Sequence, residues 1–419
     1  MKKNLILASF IVLFGCNNAS KQESQETTEE EKKELSFTVN VTNPTAAART
    51  GVLVMVKENE LPSDFNHAAF TVMDGETEIP SQYNEKGAKG LAFVIDDLAA
   101  SAQKKYTVEY DKEGTRSHDY TKRTQAELSI KEGGEWQGKE YVGGTFKNVD
   151  SLRKPDQHTD HAWYIRYEGP GWESDLVGYR FYLDWRNATD VFGKTGRGME
   201  LQHVGQEGFD SYHNFNDWGM DVLKVGESLG VGSIATFQDG KAMRVAETDS
   251  IISKIAENGA VYSEIQTDYY GWKIADKDLD LKSVISIHAG TRLSKEHLEL
   301  EKELDNIATG LHKDKGTKLF SSEGDANSWG YLATYGAQSL NQDNLGIAVL
   351  FSNSDFMSFE EDEFSHIVTL KPTGKKVDYY FLAAWEKESG GITTEEEFLQ
   401  YLKDTAAELA KPVQVSITQ

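Results

Sequence analysis

The chain has 419 residues and a single cysteine, Cys16. No intrachain disulfide can form, no cysteine cluster can hold a metal, and stability must come from the core alone. Apolar runs are short as well. The longest, Leu5 to Phe14, falls below the roughly 20 residues that a membrane-spanning helix needs. Basic charge is scarce: 44 Lys and Arg against 68 Asp and Glu leave a net charge of −24. That argues against nucleic acid, which demands a basic footprint. It would also repel an anionic polysaccharide at long range, so such a ligand needs a locally basic cleft. Also missing are a βαβ alternation, which excludes most doubly wound folds, an internal repeat and a heptad.

What is present begins with Met1-Lys2-Lys3, the apolar run and Gly15-Cys16, the basic, apolar and small-residue order of a secretory signal. Leu13-Phe14-Gly15-Cys16 resembles the lipobox of bacterial lipoproteins, whose cysteine is acylated and becomes the first mature residue. The resemblance implies a signal peptide over residues 1–15, lipidation at Cys16, a membrane as partner through that anchor, and a place in the cell envelope. Residues 16–35 are mostly Ser, Thr, Gln, Lys and Glu; too little of them is apolar to offset ordering entropy, so a tether is expected. Glu29-Glu30-Glu31 resembles the acidic export signals of Bacteroidota surface lipoproteins, which implies the outer membrane. The leaflet stays open.

About 385 residues follow, enough for two or three domains. Short β-rich runs such as Phe37–Val41, Gly51–Val56, Leu91–Ile95 and Tyr106–Tyr110, broken by Asp74-Gly75, Glu85-Lys86-Gly87 and Lys112-Glu113-Gly114, predict a small antiparallel sandwich over 36–113. A polar stretch, 114–143, reads as a linker that contributes one or two strands. A second β-rich block begins at 144 and runs to the end of the chain, with aromatic strands over 161–168, 179–186, 346–351 and 377–384. It closes in a helix from Thr394 to Ala410, opened by Thr393-Thr394 and three glutamates that suit a helix N-terminus. Phe398, Leu402 and Leu409 would pack it on a sheet. The fold class is all-β.

The segment His158–Arg197 is the most informative. Strand alternation over 179–186 puts Tyr179, Phe181, Leu183 and Trp185 in the core and Arg180, Tyr182, Asp184 and Arg186 on the other face. Before it, Tyr164, Arg166 and Glu168 would share one face. Between them, Gly169-Pro170-Gly171-Trp172-Glu173-Ser174-Asp175 would hold an indole and two carboxylates at a sheet edge. Aromatic rings beside Arg and acids are what a sugar site requires; the same pairs would also serve as bridges between strands. Residues 151–200 carry seven Lys and Arg against eight Asp and Glu, local relief in an acidic chain that favours an anionic ligand.

A second candidate runs through Gln202-His203 and Tyr212-His213-Asn214-Phe215-Asn216-Asp217-Trp218 to Asp221 and Lys224. Loops this dense in His, Tyr, Asn and Trp point to function more than to packing. Histidine with tyrosine would supply a base and an acid. Asp217 and Asp221 would alternatively contribute to a calcium site, although their interleaving is not an EF-hand pattern; otherwise neither a metal nor a cofactor is indicated. His288 would point into the same cleft or sit satisfied in a sheet, and Tyr335 would mark a further cleft loop.

Gly169–Asp175 with Tyr179-Arg180, Asp217–Lys224, Tyr335–Gln338 and Asp343–Gly346 resemble a Bacteroidota lipoprotein family described as a domain of unknown function and found with pectin and other uronate-utilisation genes. The early block, with Ile79–Gln82 and Leu98–Tyr106, is similar to the N-terminal β-domain of exo-acting rhamnogalacturonan lyases. That implies a large β-supersandwich of the galactose-mutarotase type behind it, with a sugar-binding concave face. No catalytic residues come with the family.

The expectation is therefore a carbohydrate-active protein whose partner is a uronate-containing polysaccharide or oligosaccharide, acting by β-elimination. His203 or His213 would be the base and Tyr212 or Tyr182 the acid. Arg180 and Arg166 would neutralise the carboxylate, and Trp172 and Trp218 would be sugar platforms. Glu173, Asp175, Asp184, Arg186, Asp217, Lys224, His288 and Tyr335 complete the substrate-binding set. The competitors are a hydrolase using Glu173 with Asp175 or Asp184, an isomerase or mutarotase of unsaturated uronates, and a non-catalytic glycan-binding lipoprotein.

Overall fold

In the computed structural model the described residues are 35–275 and 277–418; the signal peptide, Cys16 and nearly all of the expected tether lie outside them. Each short run read from the first block is a strand whose alternate residues are buried: Phe37, Val39 and Val41 in Leu35–Thr42, Val52, Val54 and Val56 in Arg49–Lys57, Tyr106 and Val108 in Gln103–Tyr110. These inward sets close one core between a five-stranded and a three-stranded sheet. The outermost strand of the larger sheet comes from the far end of the chain. Gln414–Thr418 pairs antiparallel with Leu35–Thr42, Thr38 opposite Thr418, so the last residues belong to the small sandwich and not to the block that begins at 144. Gln82 fastens the small sandwich to the large one: its Oε1 accepts from the backbone N–H of Val261 and Tyr262 at 2.9 and 3.0 Å.

The polar stretch after 113 supplies Thr124–Glu127 to a sheet of the large domain, then a hairpin of Ser129–Gln137 with Glu140–Asn148. The large domain is built on a nine-stranded antiparallel sheet. Two five-stranded sheets pack on one face of it, through Trp172, Tyr179, Leu311 and Val368 against Val349, Phe351 and Phe381. The helix Glu395–Ala410 covers the other face. This explains why Leu345–Phe351 is buried at every position: Ile347 and Val349 face the sheets, while Ala348 and Leu350 face the helix. Gly346 lies beneath Phe398, and a Cβ there would stand 2.4 Å from that ring. The helix begins with a capping box, Thr394 Oγ1 accepting from the Glu397 N–H and the Glu397 carboxylate from the Thr394 N–H, each at 3.2 Å, and Phe398, Leu402 and Ala406 are its buried stripe. The all-β class with a closing helix is what the structure shows. Among the described residues no helix is long and apolar enough to cross a membrane.

The inner face of the long sheet carries an acid at Glu296. Glu296 is buried and accepts from the hydroxyl of Ser283 at 2.7 Å, and burial pushes its carboxyl up to about 8. Its folded value exceeds its unfolded one, so the stability that this group contributes is full in mild acid and is lost as pH rises through about 8. Glu296→Gln removes the ionisation. Denaturant midpoints measured across this range should show the variant gaining on the wild type as pH rises; a constant difference would contradict the assignment.

Candidate functional site

The hairpin Val177–Phe181/Thr189–Lys194 sets Arg180 directly across from Asp190, and Gly219–Asp221 extends the same sheet. Tyr179 and Phe181 turn inward onto Phe381. Arg180 turns the other way, as alternation predicts. It does not reach solvent, however, because the loop carrying Leu201, Val204 and Tyr212 roofs it over together with Tyr167 and Phe192. Its Nε and Nη2 donate to Asp190 Oδ2 at 3.0 and 2.7 Å, Nη2 also donates to Asp221, and Nη1 donates to the Tyr212 hydroxyl at 3.0 Å. Glu168 lies 3.8 Å from Nη1. The rings of Tyr182, Tyr212 and Phe192 surround the guanidinium at 4.6, 5.0 and 5.3 Å, and Tyr182 donates its hydroxyl to Asp190. Burial, with Asp221 nearby, pushes the Asp190 carboxyl up to about 6.

One group of this network is exposed. His213, whose side chain is 42% accessible, sets Nε2 3.3 Å from the buried Asp221 carboxylate. The hydrogen bond to Asp221 outweighs desolvation and raises the imidazole above its usual range. Phe215, half exposed, lies close by in sequence and rests on Trp385 at 5.8 Å between ring centroids, while half-buried Trp218 packs edge-on against Phe192.

On the opposite side the expected strand over 161–168 is absent. His161, Trp163, Tyr167 and Glu168 take positive φ values of 57, 52, 40 and 73°, which no ladder accommodates, and Arg166–Glu168 forms a 3-10 turn. Gly169 follows, where a Cβ would meet the Phe181 carbonyl oxygen at 1.6 Å. The turn is held by Glu168, which accepts from the His161 N–H at 2.8 Å and meets Arg186 Nη2 at 2.9 Å. Burial pushes the Glu168 carboxyl up, but Arg186 and Arg180 outweigh it, and it lies below its ordinary value. The second expected strand also stops early, at Phe181. Asp184 accepts from the backbone N–H and guanidinium of Arg186 at 2.8 and 3.0 Å and turns the chain. Trp185, expected in the core, sits at the tip of that turn, 43% exposed.

The remaining candidates separate. Trp172 is buried against Tyr179 and donates Nε1 to the Ser294 hydroxyl at 2.8 Å, so it is a core residue and cannot stack on a sugar. Arg166 is sealed with Glu127 and the Gln202 carbonyl. Glu173 pairs with Lys194 at 2.6 Å and caps the N–H groups of Glu200 and Leu201 at 2.8 Å, while Asp175 joins Arg123 and the Gly290 N–H. A hydrolase built on these two carboxylates has no substrate access at Glu173, which is completely buried. Tyr335 stacks on Phe398 beneath the helix. His288 bonds the Ala289 carbonyl at 2.9 Å and burial lowers its pKa. His203, Asp217 and Lys224 are exposed. Asp221 is committed to Arg180, so it does not share a cation with Asp217. Asp160, His161 and Glu168 do bring one ligand atom each within 4.8 Å, but Arg186 already bridges Asp160 and Glu168 at 3.0 and 2.9 Å and supplies the positive charge there. Sequence reasoning missed Asp190, whose signal was its place across a tight hairpin from Arg180, and His158.

A family model for a domain of unknown function (DUF4861) matches residues 41–415, spanning both sandwiches. The chain belongs to the DUF4861 family. No curated protein matches it in sequence. Among solved structures, it is similar to an alpha-mannosidase from Enterococcus faecalis V583, with 8% identity, a TM-score of 0.49, and coverage of 92% of this chain and 46% of that one. A protein in glycosyl hydrolase family 38 from Enterococcus faecalis gives 8%, 0.48, 92% and 47%. This DUF4861 chain thus spans about half the length of each.

Removing Arg180 from this DUF4861 chain leaves Asp190, Asp221 and Glu168 buried without their common counter-charge. Arg180→Met should cost about 3–5 kcal/mol at neutral pH. The orphaned carboxyls then take up protons on folding, so the deficit should shrink in mild acid and grow in mild alkali. Urea midpoints at the two extremes measure it, and adding Asp221→Asn should restore part of the loss.

Proposed function

We propose that this DUF4861 protein is a carbohydrate-active enzyme of the cell envelope that works by general acid–base chemistry at His213, on uronate-containing glycans and by β-elimination. The observation that carries the reading is the half-exposed imidazole backed by a buried carboxylate, Nε2 of His213 on Asp221 at 3.3 Å. With Nε2–H donating to Asp221, the neutral ring keeps its lone pair on Nδ1, available to a substrate proton. In elimination Nδ1 takes the proton beside the sugar carboxyl, the C–H electrons form the ring double bond, and the bond to the 4-linked oxygen breaks. The leaving oxygen then recovers a proton from the same imidazolium. Tyr182 and Tyr212 are too buried to be the acid, and Arg180 and Arg166 too buried to touch a substrate carboxyl. Phe215 and Trp218 are the aromatic surface that remains beside His213. The same burial favours a second reading, a glycan-binding lipoprotein without turnover. The lipobox-like start supports an acyl anchor at Cys16, which labelled-palmitate incorporation, lost in Cys16→Ser, would test.

Incubating the protein with pectic, alginate and ulvan-type glycans and following ultraviolet absorbance of the enol-ether product distinguishes these readings. A rise that His213→Ala lowers by about 10²–10⁴-fold supports elimination. Turnover without the chromophore supports hydrolysis or isomerisation, and binding without turnover supports the second reading. Activity requires the neutral imidazole, whose pKa Asp221 raises. The rising limb of the pH profile should therefore lie above the usual histidine value of about 6.5 and move to lower pH in Asp221→Asn.

A further inference from the structure

The displaced Trp185 opens onto a cleft of about 410 Å³ whose walls include Lys154, His158, Asp184, Glu247 and Lys273, within the range of small-ligand pockets, about 300–1,000 Å³. Three features of it are unspent by the fold. The imidazole of His158 is only 4% exposed, and beyond a contact with the Glu168 backbone neither ring nitrogen has a hydrogen-bond partner; a buried polar group left so is costly unless something else satisfies it. Burial holds this ring neutral, with its pKa down at about 4, so it offers one donor and one acceptor. Lys154, half-buried on the cleft wall, makes no ion pair among the described residues, although Asp156 and Asp184 act on it at longer range. In a chain with 68 acids to 44 bases, an ammonium outside any ion pair beside an exposed indole is the local positive charge that an anionic ligand needs. The other charges of the cleft are accounted for. Asp184 is held by Arg186, and Lys273 by Asp249 and Asp278 at 3.1 and 3.5 Å, while Glu247 offers an acceptor for hydroxyls.

We propose that this cleft binds a carboxylated sugar, its ring stacked on Trp185, its acid group held by Lys154, and a hydroxyl engaged by His158. The choice of a sugar rests on the glycan reading of the protein, but the site is separate from His213 and its test is binding, not turnover. Calorimetric titration of the full protein with galacturonate and glucuronate disaccharides, their methyl esters and a neutral disaccharide measures it. The acids should bind, the esters and the neutral sugar about tenfold or more weaker. Trp185→Ala should weaken the acids by about tenfold, and Lys154→Gln should abolish the preference of acid over ester. The readout is the heat of binding and its acid-over-ester preference, which do not depend on turnover at His213, so a failed elimination assay and a failed cleft are told apart. Equal affinity for acid and ester, affinity unchanged in Trp185→Ala, or no binding of any sugar would overturn the proposal.

Discussion

A guanidinium sealed inside a sheet is the constraint on which the rest of this region depends. Arg180 has no water to solvate it, so it must be met by fixed acids, and one acid is not geometrically enough for five donors. Asp190 comes from the strand opposite, Asp221 from the next strand and Glu168 from the preceding turn. Three acids around one base leave an excess of negative charge, and this excess is relieved in two ways. Asp190 is pushed up to about 6, and neighbouring groups take a share, the Arg186 guanidinium on Glu168 and the His213 ring on Asp221. The loops on either side have few ladder hydrogen bonds of their own. Their geometry follows from these charges, as when Glu168 satisfies the His161 N–H and Tyr212 accepts from Arg180.

The nine-stranded sheet makes this arrangement affordable. It is covered on both faces at its centre, by sheets through Trp172, Tyr179 and Phe381 and by the helix through Phe398 and Leu402. The Tyr179 hydroxyl ties the two layers, donating to the Arg292 carbonyl at 2.6 Å and accepting from the Ala383 N–H at 2.9 Å. With Tyr179 and Phe181 fixed inward, Arg180 between them has only the outward face to occupy, and the loop over it must be aromatic and acid-rich to cover a charge.

Local patterning made the small sandwich, the helix and its cap legible, because period-two alternation and capping residues act within a few positions of one another. The return of Gln414–Thr418 to pair with Leu35–Thr42 is a contact between chain ends, and no local signal carries it. The site was legible in composition and not in exposure. The fold brings Arg180, Tyr182, Tyr212, Asp221 and His213 together, but alternation tells which face a side chain takes and not whether another loop covers that face. The misread strands over 161–168 and 179–186 share a cause: an acid, Glu168 or Asp184, that binds nearby backbone N–H groups competes with the ladder and wins. That competition expelled Trp185 from the core.

The same acids link the two surface features. From His213 the contacts run through Asp221 to Arg180, from Arg180 to Glu168, from Glu168 to Arg186, and from Arg186 to Asp184 on the wall of the Trp185 cleft. Tyr182 lies between the two guanidiniums, 4.6 Å from Arg180 and 3.6 Å from Arg186. A histidine at one end and an indole at the other are thus held by one buried lattice of alternating charge. Side chains whose partners are all fixed lose little freedom when a ligand arrives, which is the physical advantage of mounting surface groups on such a lattice rather than on free loops. The burial that removes Arg180 from contact with a substrate is what allows it to position His213 through Asp221.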